Sequence, residues 1–308
     1  MLCLLGPQHP LRSLDSLSVF LGLSMLTPLF ADHSRHWLDN RFVYPVVSRR
    51  SQGLSIGINL NPDGVCNFDC AYCCVDRTVP APVKTVDLDG IRTELGAILP
   101  LAKDGRIWET APFNIAPTAL RRVNDVAFSG DGEPTSYPRF AEACQLVADV
   151  LAWHDLPIKI VVITNATLLH RPEVEAGLAI LDQHRGEVWA KLDAGTEDYF
   201  QRIDRSKVSL QRILDNLLIC GRRRPLTIQS LWARIDGEVP PPAEVTAWIE
   251  RLTTLRAQGA NIAMIQLYTV ARATAEATIT ALPVAHLEAI AAQVRAAGLP
   301  IAVFPGNA

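Results

Sequence analysis

Three cysteines, Cys66, Cys70 and Cys73, stand at a C-x3-C-x2-C spacing in one short loop after the strand-like run 54–60. Three soft thiolates so close in the chain can hold three irons of a cubane cluster and leave the fourth iron without a protein ligand, open to an external molecule. Two other chemistries use the same residue type. A structural zinc site needs a fourth N or S donor to complete a tetrahedron; Cys74 follows Cys73 too closely to serve comfortably, and the next histidine is His154. An ordinary electron-transfer cluster needs a fourth cysteine, and beyond Cys74 only Cys144 and Cys220 offer one.

A second group of residues, Phe128-Ser129-Gly130-Asp131-Gly132-Glu133-Pro134-Thr135, closes another strand-like segment. Ligands of parallel α/β sheets collect at the carboxyl edge, and glycines there let main-chain groups approach them closely, although a plain turn also accounts for glycine. The next two strands end in Ile163-Thr164-Asn165-Ala166 and Lys191-Leu192-Asp193-Ala194-Gly195-Thr196. Polar side chains that end apolar strands point over the mouth of a barrel. Strand alternation puts Lys191 and Asp193 on one face, as an ion pair or as ligand contacts. Gln229, Arg234, Gln266, Tyr268 and Arg272 add polar groups to otherwise apolar strands. Unpaired burial of such groups costs a few kcal/mol each, so they need partners, of which a ligand is one.

These motifs need a scaffold, and the pattern between them supplies one. Short apolar runs at 55–60, 125–129, 159–164, 188–193, 227–235 and 262–270, with a short terminal run at 301–304, alternate with segments of helical period. That alternation signals βα units around a parallel sheet. Asp87 can cap a helix carrying Ile91, Leu95 and Leu99 on one face; Phe140, Cys144, Val147 and Leu151, then Val245, Trp248, Leu252 and Leu255, then Leu287, Ile290 and Val294 repeat the period. Cys144 thus reads as a core residue. Pro80, Pro82 and 240–242 mark loops. The predicted class is α/β, an open partial (β/α)6 barrel, with an N-terminal extension and lead-in at 1–45 and the core domain at 46–308.

The chain has 308 residues, 49% hydrophobic and 20% charged, enough for one large domain. A net charge of −3 gives no global basic field toward nucleic acid or anionic lipid. Arg121-Arg122 and Arg222-Arg223-Arg224 are local exceptions, read as solvated helix ends or loops before phosphate sites. Seven cysteines, odd in number and unevenly spaced, form no disulfide framework, and a low-potential cluster needs a reducing compartment, so the expected location is cytoplasmic. The apolar stretch 17–30 is too short to span a bilayer, lacks a basic flank beyond Arg12 and contains Pro28, so no membrane association is expected. Met25 is a candidate start, and removal of 1–24 is expected to be tolerated.

The cysteine loop resembles that of the radical S-adenosylmethionine (radical SAM) enzymes. The resemblance implies a [4Fe-4S] cluster on Cys66, Cys70 and Cys73 as the catalytic centre, with S-adenosyl-L-methionine (SAM) chelating the open iron and cleaved reductively to a 5′-deoxyadenosyl radical. Tyr72 matches the aromatic that packs near adenine. Gly130, Gly132, Glu133 and Pro134 match the glycine-rich loop that holds the SAM amino group, with Asp131 in place of one glycine. Thr164, Asn165, Lys191 and Asp193 fall where family members contact the ribose and carboxylate. The implied partner is a low-potential electron donor of flavodoxin or ferredoxin type. The stretches FSGDGEPT, TNA and LDAGTEDYFQRIDR look closest to the branch of tRNA wyosine-base synthases. Those enzymes carry three more cysteines ahead of the loop, where this chain has Cys3, so the expectation is a single-cluster relative acting on an unknown substrate. A tRNA nucleobase is one alternative, and a non-catalytic iron–sulfur carrier or sensor is another.

Overall fold

The computed structural model describes residues 29–30 and 37–306. In chain order its elements are β1 (Val43–Ser48), β2 (Gly53–Ile58), α1 (Leu88–Lys103), β3 (Val123–Phe128), α2 (Phe140–Trp153), β4 (Lys159–Thr164), α3 (Pro172–Asp182), β5 (Gly186–Lys191), α4 (Glu197–Ile203), α5 (Leu210–Gly221), β6 (Leu226–Leu231), β7 (Ala233–Ile235), α6 (Pro242–Ala257), β8 (Ile262–Tyr268), β9 (Ile279–Ala281), α7 (Val284–Ala296) and β10 (Ile301–Phe304). The main sheet runs β1-β2-β3-β4-β5-β6-β8-β10, parallel from β2 onward. It curls into a half-barrel, the expected architecture.

Alternation along the strands explains the two faces. Ile56, Ile58, Val126, Phe128, Ile160, Val162, Val188 and Ala190 join the core under the helices. Their neighbours Ala127, Val161 and Trp189 form a separate small cluster inside the curl. The helical stripes are buried as the spacing predicts, and Asp87 caps α1 by accepting from the Asp89 amide at 3.1 Å. Cys144 is fully buried in α2, behind Gly177 of α3.

Three differences from the sequence reading have physical causes. Residues 43–48, taken as the end of a lead-in, pair antiparallel with β2 along their whole length, so the line drawn at 45/46 falls inside a strand. Pro45 is accommodated because β1 is an edge strand. The run 227–235 divides at Trp232, whose indole packs edge-on to Trp248 at 5.3 Å; β7 then leaves the sheet and pairs with β9. Of the arginine clusters, Arg121, Arg122, Arg222 and Arg223 are exposed loop or helix-end residues, as read, and Arg224 alone departs from the reading. Arg224 is buried between Glu175 (2.6 Å) and Asp182 (3.0 Å), while Arg223 also meets Glu175 and Arg222 donates to the Gln258 carbonyl. Arg121 and Arg122 donate to the Ala116 and Gln52 carbonyls.

Of the apolar stretch 17–30, Leu29 and Phe30 are described, and both are buried. The rest, with Met25 and Cys3, lies outside the described residues. Among the described residues no helix is long and apolar enough to cross a membrane.

Candidate functional site

The loop after β2 is held over the carboxyl edge of the sheet by groups far away in sequence. The Asp69 and Ala71 amides donate to the Asp204 and Ile203 carbonyls at 3.2 and 2.9 Å, and the Ala275 amide donates to the Cys73 carbonyl at 3.0 Å. Asn67, next to Cys66, donates to the Thr167 hydroxyl at 2.7 Å and accepts from the Asn165 side-chain Nδ2 at 2.6 Å. Thus clamped, Cys66, Cys70 and Cys73 are free, partly buried thiols that line one cavity of about 300 Å³. Of the other site residues expected from sequence, Tyr72, Gly130, Gly132, Glu133, Thr164, Asn165 and Lys191 line the same cavity. Pro134 and Asp193 are buried and are not part of its lining.

The glycines of the second loop answer two steric demands. Gly130 has φ +146°, and a Cβ there would run into the Asn59 side chain, which bonds Asp131 at 2.6 Å. Gly130 therefore supplies the unusual dihedral, and Asp131 needs none. At Gly132 an added Cβ would strike the Val65 carbonyl oxygen and lie 2.8 Å from Asn61, so this glycine lets the two loops touch one residue before Cys66. Glu133 is buried and accepts from the Thr135 amide (3.2 Å), the Thr135 hydroxyl (2.5 Å), the Thr164 hydroxyl (2.6 Å) and the Asn165 amide (2.7 Å). Burial pushes its carboxyl above the usual range more than these four donors lower it. With both oxygens engaged, Glu133 fixes the ends of β3 and β4 relative to each other.

Beneath the cysteine loop lies a polar knot. The Tyr72 hydroxyl donates to Asp193, stands 3.2 Å from Asp204 and accepts from Lys191 Nζ at 2.6 Å. Lys191 Nζ sits 3.7 Å from Asp193 and 3.5 Å from the Tyr268 hydroxyl. Lys191 and Asp193 form an ion pair, and Lys191 also lines the cavity. Burial and the Asp193 charge hold the Asp204 carboxyl well above its ordinary range. Burial also raises the Cys70 thiol, followed by the Asp204 charge 3.4 Å from its sulfur. Burial would lower Lys191, but Tyr268, Asp193, Cys70 and Asp204 outweigh it and keep the ammonium charged.

Sequence reasoning missed Asp204 and Arg77. Asp204 is the last but one residue of the stretch that resembles the wyosine-synthase branch, but nothing local says its carboxylate reaches Cys70. Arg77 Nη1 donates to Cys73 Sγ at 3.3 Å, as does the Val75 amide at 3.5 Å. Such N–H···S bonds suit a cluster thiolate. Cys74 is exposed, and its thiol turns back to the Tyr72 carbonyl at 3.7 Å. Cys144 and Cys220 are buried in α2 and α5, Cys220 against Arg224. Among the described residues no three Cys, His, Asp or Glu side chains gather tightly enough for a single ion. Three thiols around one cavity, two of them contacted by polar groups of the chain, fit a cubane with one open iron.

No protein-family model matches the chain. It is 31% identical over 174 residues to a UPF0026 protein of Methanocaldococcus jannaschii, covering 56% of this chain and 46% of that protein. A UPF0026 protein of Helicobacter pylori is 27% identical over 176 residues, covering 56% and 49%. The GTPase Obg of Brachyspira hyodysenteriae is 28% identical over 179 residues, covering 56% and 22%. The match thus spans between about a fifth and half of these relatives' lengths. Among solved structures, TYW1 with a lysine-pyruvate adduct bound superposes with a TM-score of 0.51 at 15% identity, covering 89% of this chain and 81% of that one. The chain is a fold relative of that protein.

Proposed function

We propose that this chain is a radical SAM enzyme. The observation that carries the reading is the group of three partly buried, unpaired thiols lining one cavity at the carboxyl edge of a half-barrel. The shared fold with TYW1 supports it. In this reading Cys66, Cys70 and Cys73 hold a [4Fe-4S] cluster and the cavity beside them takes SAM. Once bound, the pair supplies one-electron cleavage of SAM to methionine and a 5′-deoxyadenosyl radical.

The chain's own residues do the rest. Arg77 and the Val75 amide donate to the Cys73 sulfur, and Gly130 and Gly132 let the second loop pack against Asn59 and the cysteine loop at the cavity edge. Glu133 locks Thr164 and Asn165 in place, and Lys191 keeps a positive charge at the wall. The electron comes from a flavodoxin- or ferredoxin-type donor in a reducing cytoplasm. A tRNA substrate rests on the branch resemblance alone. GTP hydrolysis is not part of the reading, since no glycine of this chain is followed by the lysine that a phosphate-cradling loop requires.

Anaerobic reconstitution tests the reading. Expected are about four irons per chain with matching sulfide, and release of 5′-deoxyadenosine and methionine after reduction with dithionite and addition of SAM. Stoichiometric zinc without sulfide would refute the cluster. A loaded cluster that released no 5′-deoxyadenosine would make the protein a carrier or sensor.

A further inference from the structure

Three guanidinium groups meet on one wall of the cavity: Arg49 and Arg50 from the β1–β2 turn, and Arg272 from the segment after β8. Arg49 donates to the Pro305 carbonyl just beyond β10, and Arg50 lies 4.6 Å over the Tyr268 ring. The turn therefore reaches across the seam between β1 and β10, the side where the sheet order leaves the half-barrel open. The partners of Arg49 and Arg50 are a main-chain oxygen and an aromatic face, and among the described residues neither has a carboxylate within ion-pair distance. Most other arginine contacts neutralise charge: Arg224 with Glu175 and Asp182, Arg205 with Glu276, Arg139 with Glu142. Burial, with the charges of Arg50 and Arg272, draws the Arg49 guanidinium down to about 10. In a chain of net charge −3, the seam is a local concentration of positive charge, and low-dielectric walls focus such a field.

We propose that this arginine wall binds the anionic group, phosphate or carboxylate, of a small substrate that enters at the seam. The proposal rests on the reading of the cavity as the reaction chamber of a radical SAM enzyme. Guanidinium forks match the planar or tetrahedral oxygens of both anions. A concave wall suits one or two such groups. A long polyanion would need a basic surface continuing outward from the wall, and a net charge of −3 supplies no such general field.

The same chemistry could come from the carboxylate of SAM, so the experiment has two arms. Full-length, anaerobically reconstituted protein is dialysed to equilibrium against labelled inorganic phosphate at saturating SAM, and SAM affinity is measured separately. Arg49→Gln and Arg50→Gln should each weaken phosphate about tenfold, a loss of about 1.4 kcal/mol, with Arg50→Lys partly restoring it and SAM affinity nearly unmoved. Arg272→Gln provides a third variant if one of the turn variants folds poorly. Equal phosphate affinity in wild type and variants would overturn the proposal. Loss of SAM affinity with unchanged phosphate binding would overturn it too, assigning the wall to SAM. Wild-type release of 5′-deoxyadenosine, assayed in the same preparation, judges the radical reading on its own.

Discussion

Replacing Gly132 with alanine adds one methyl group where the cysteine loop and the loop after β3 touch. Its Cβ would lie 2.8 Å from Asn61 Cβ and Cγ and closer still to the Val65 carbonyl oxygen. Carbon atoms rest at about 3.5–4.0 Å, so something must retreat by roughly an ångström, and the obstacle at Val65 is main chain. Overpacking of this kind costs about 1–3 kcal/mol, and a backbone obstacle puts Gly132→Ala at the upper end. Gly64→Ala is the control. It meets nothing within 4 Å, but its φ of +72° makes the change a dihedral cost alone, about 1–2 kcal/mol. With about 2 °C of melting shift per kcal/mol at this chain length, Gly132→Ala should lower the midpoint by about 6 °C and Gly64→Ala by about 3 °C. The sharper readout is iron. Val65 precedes Cys66, so displacement is passed to the first proposed ligand and Gly132→Ala should reconstitute poorly, whereas Gly64→Ala should load fully. A Gly132→Ala protein with wild-type melting and full iron would show that the two loops do not touch as described.

Alanine at Cys66, Cys70 or Cys73 should abolish iron and sulfide binding, while alanine at Cys74, Cys144 or Cys220 should leave both intact; iron loss at Cys74 would mean that the third ligand is misassigned. Arg224→Gln removes the partner of Glu175 and Asp182 and should cost about 2 kcal/mol in urea denaturation at pH 7, below the 3–5 kcal/mol of a fully buried pair because both acids are partly exposed. Arg224 lowers the Glu175 carboxyl, so the stability it contributes is present above the ordinary 4.5 and lost as pH falls through the lowered folded value; the gap between wild type and variant should shrink on acidification. Asp125, whose carboxyl is raised from 3.8 by burial despite bonds from Ser51 and Ser55, behaves oppositely. Its contribution is greatest below pH 3.8 and is lost as pH rises through the raised value, so Asp125→Asn should compare better with wild type at pH 8 than at pH 4 in melting scans.

The legible parts of the fold were those whose information is local. The branched aliphatic run 159–164 coincides with β4, because a parallel strand buried on both faces needs little else, and the run 301–304 coincides with the partly buried edge strand β10. β1 escaped because Val43-Tyr44-Pro45 carries a proline, and only its edge position makes that acceptable. β7 was merged with β6 because the break at Trp232 is set by a tryptophan 16 residues later, Trp248. In the site, the cysteines and glycines were readable from spacing. Asp204, Arg49 and Arg50 were not, since their roles depend on neighbours more than 100 positions away: Cys70, Tyr268 and Pro305.

The clamps on the cysteine loop also set an order of events during biosynthesis. Amides of Asp69 and Ala71 wait for the carbonyls of Asp204 and Ile203, and the Cys73 carbonyl waits for Ala275. At roughly 5–20 residues per second, the ribosome needs on the order of 10–40 s to travel from Cys73 to Ala275. During that interval the three thiols emerge on a chain that cannot yet shape them, exposed to oxidants and stray metal. Under the proposed function, iron delivery would accordingly be an event of the nearly finished polypeptide. Ribosome-bound chains stalled before residue 203 should retain no iron, and retention by such chains would show that the loop shapes itself.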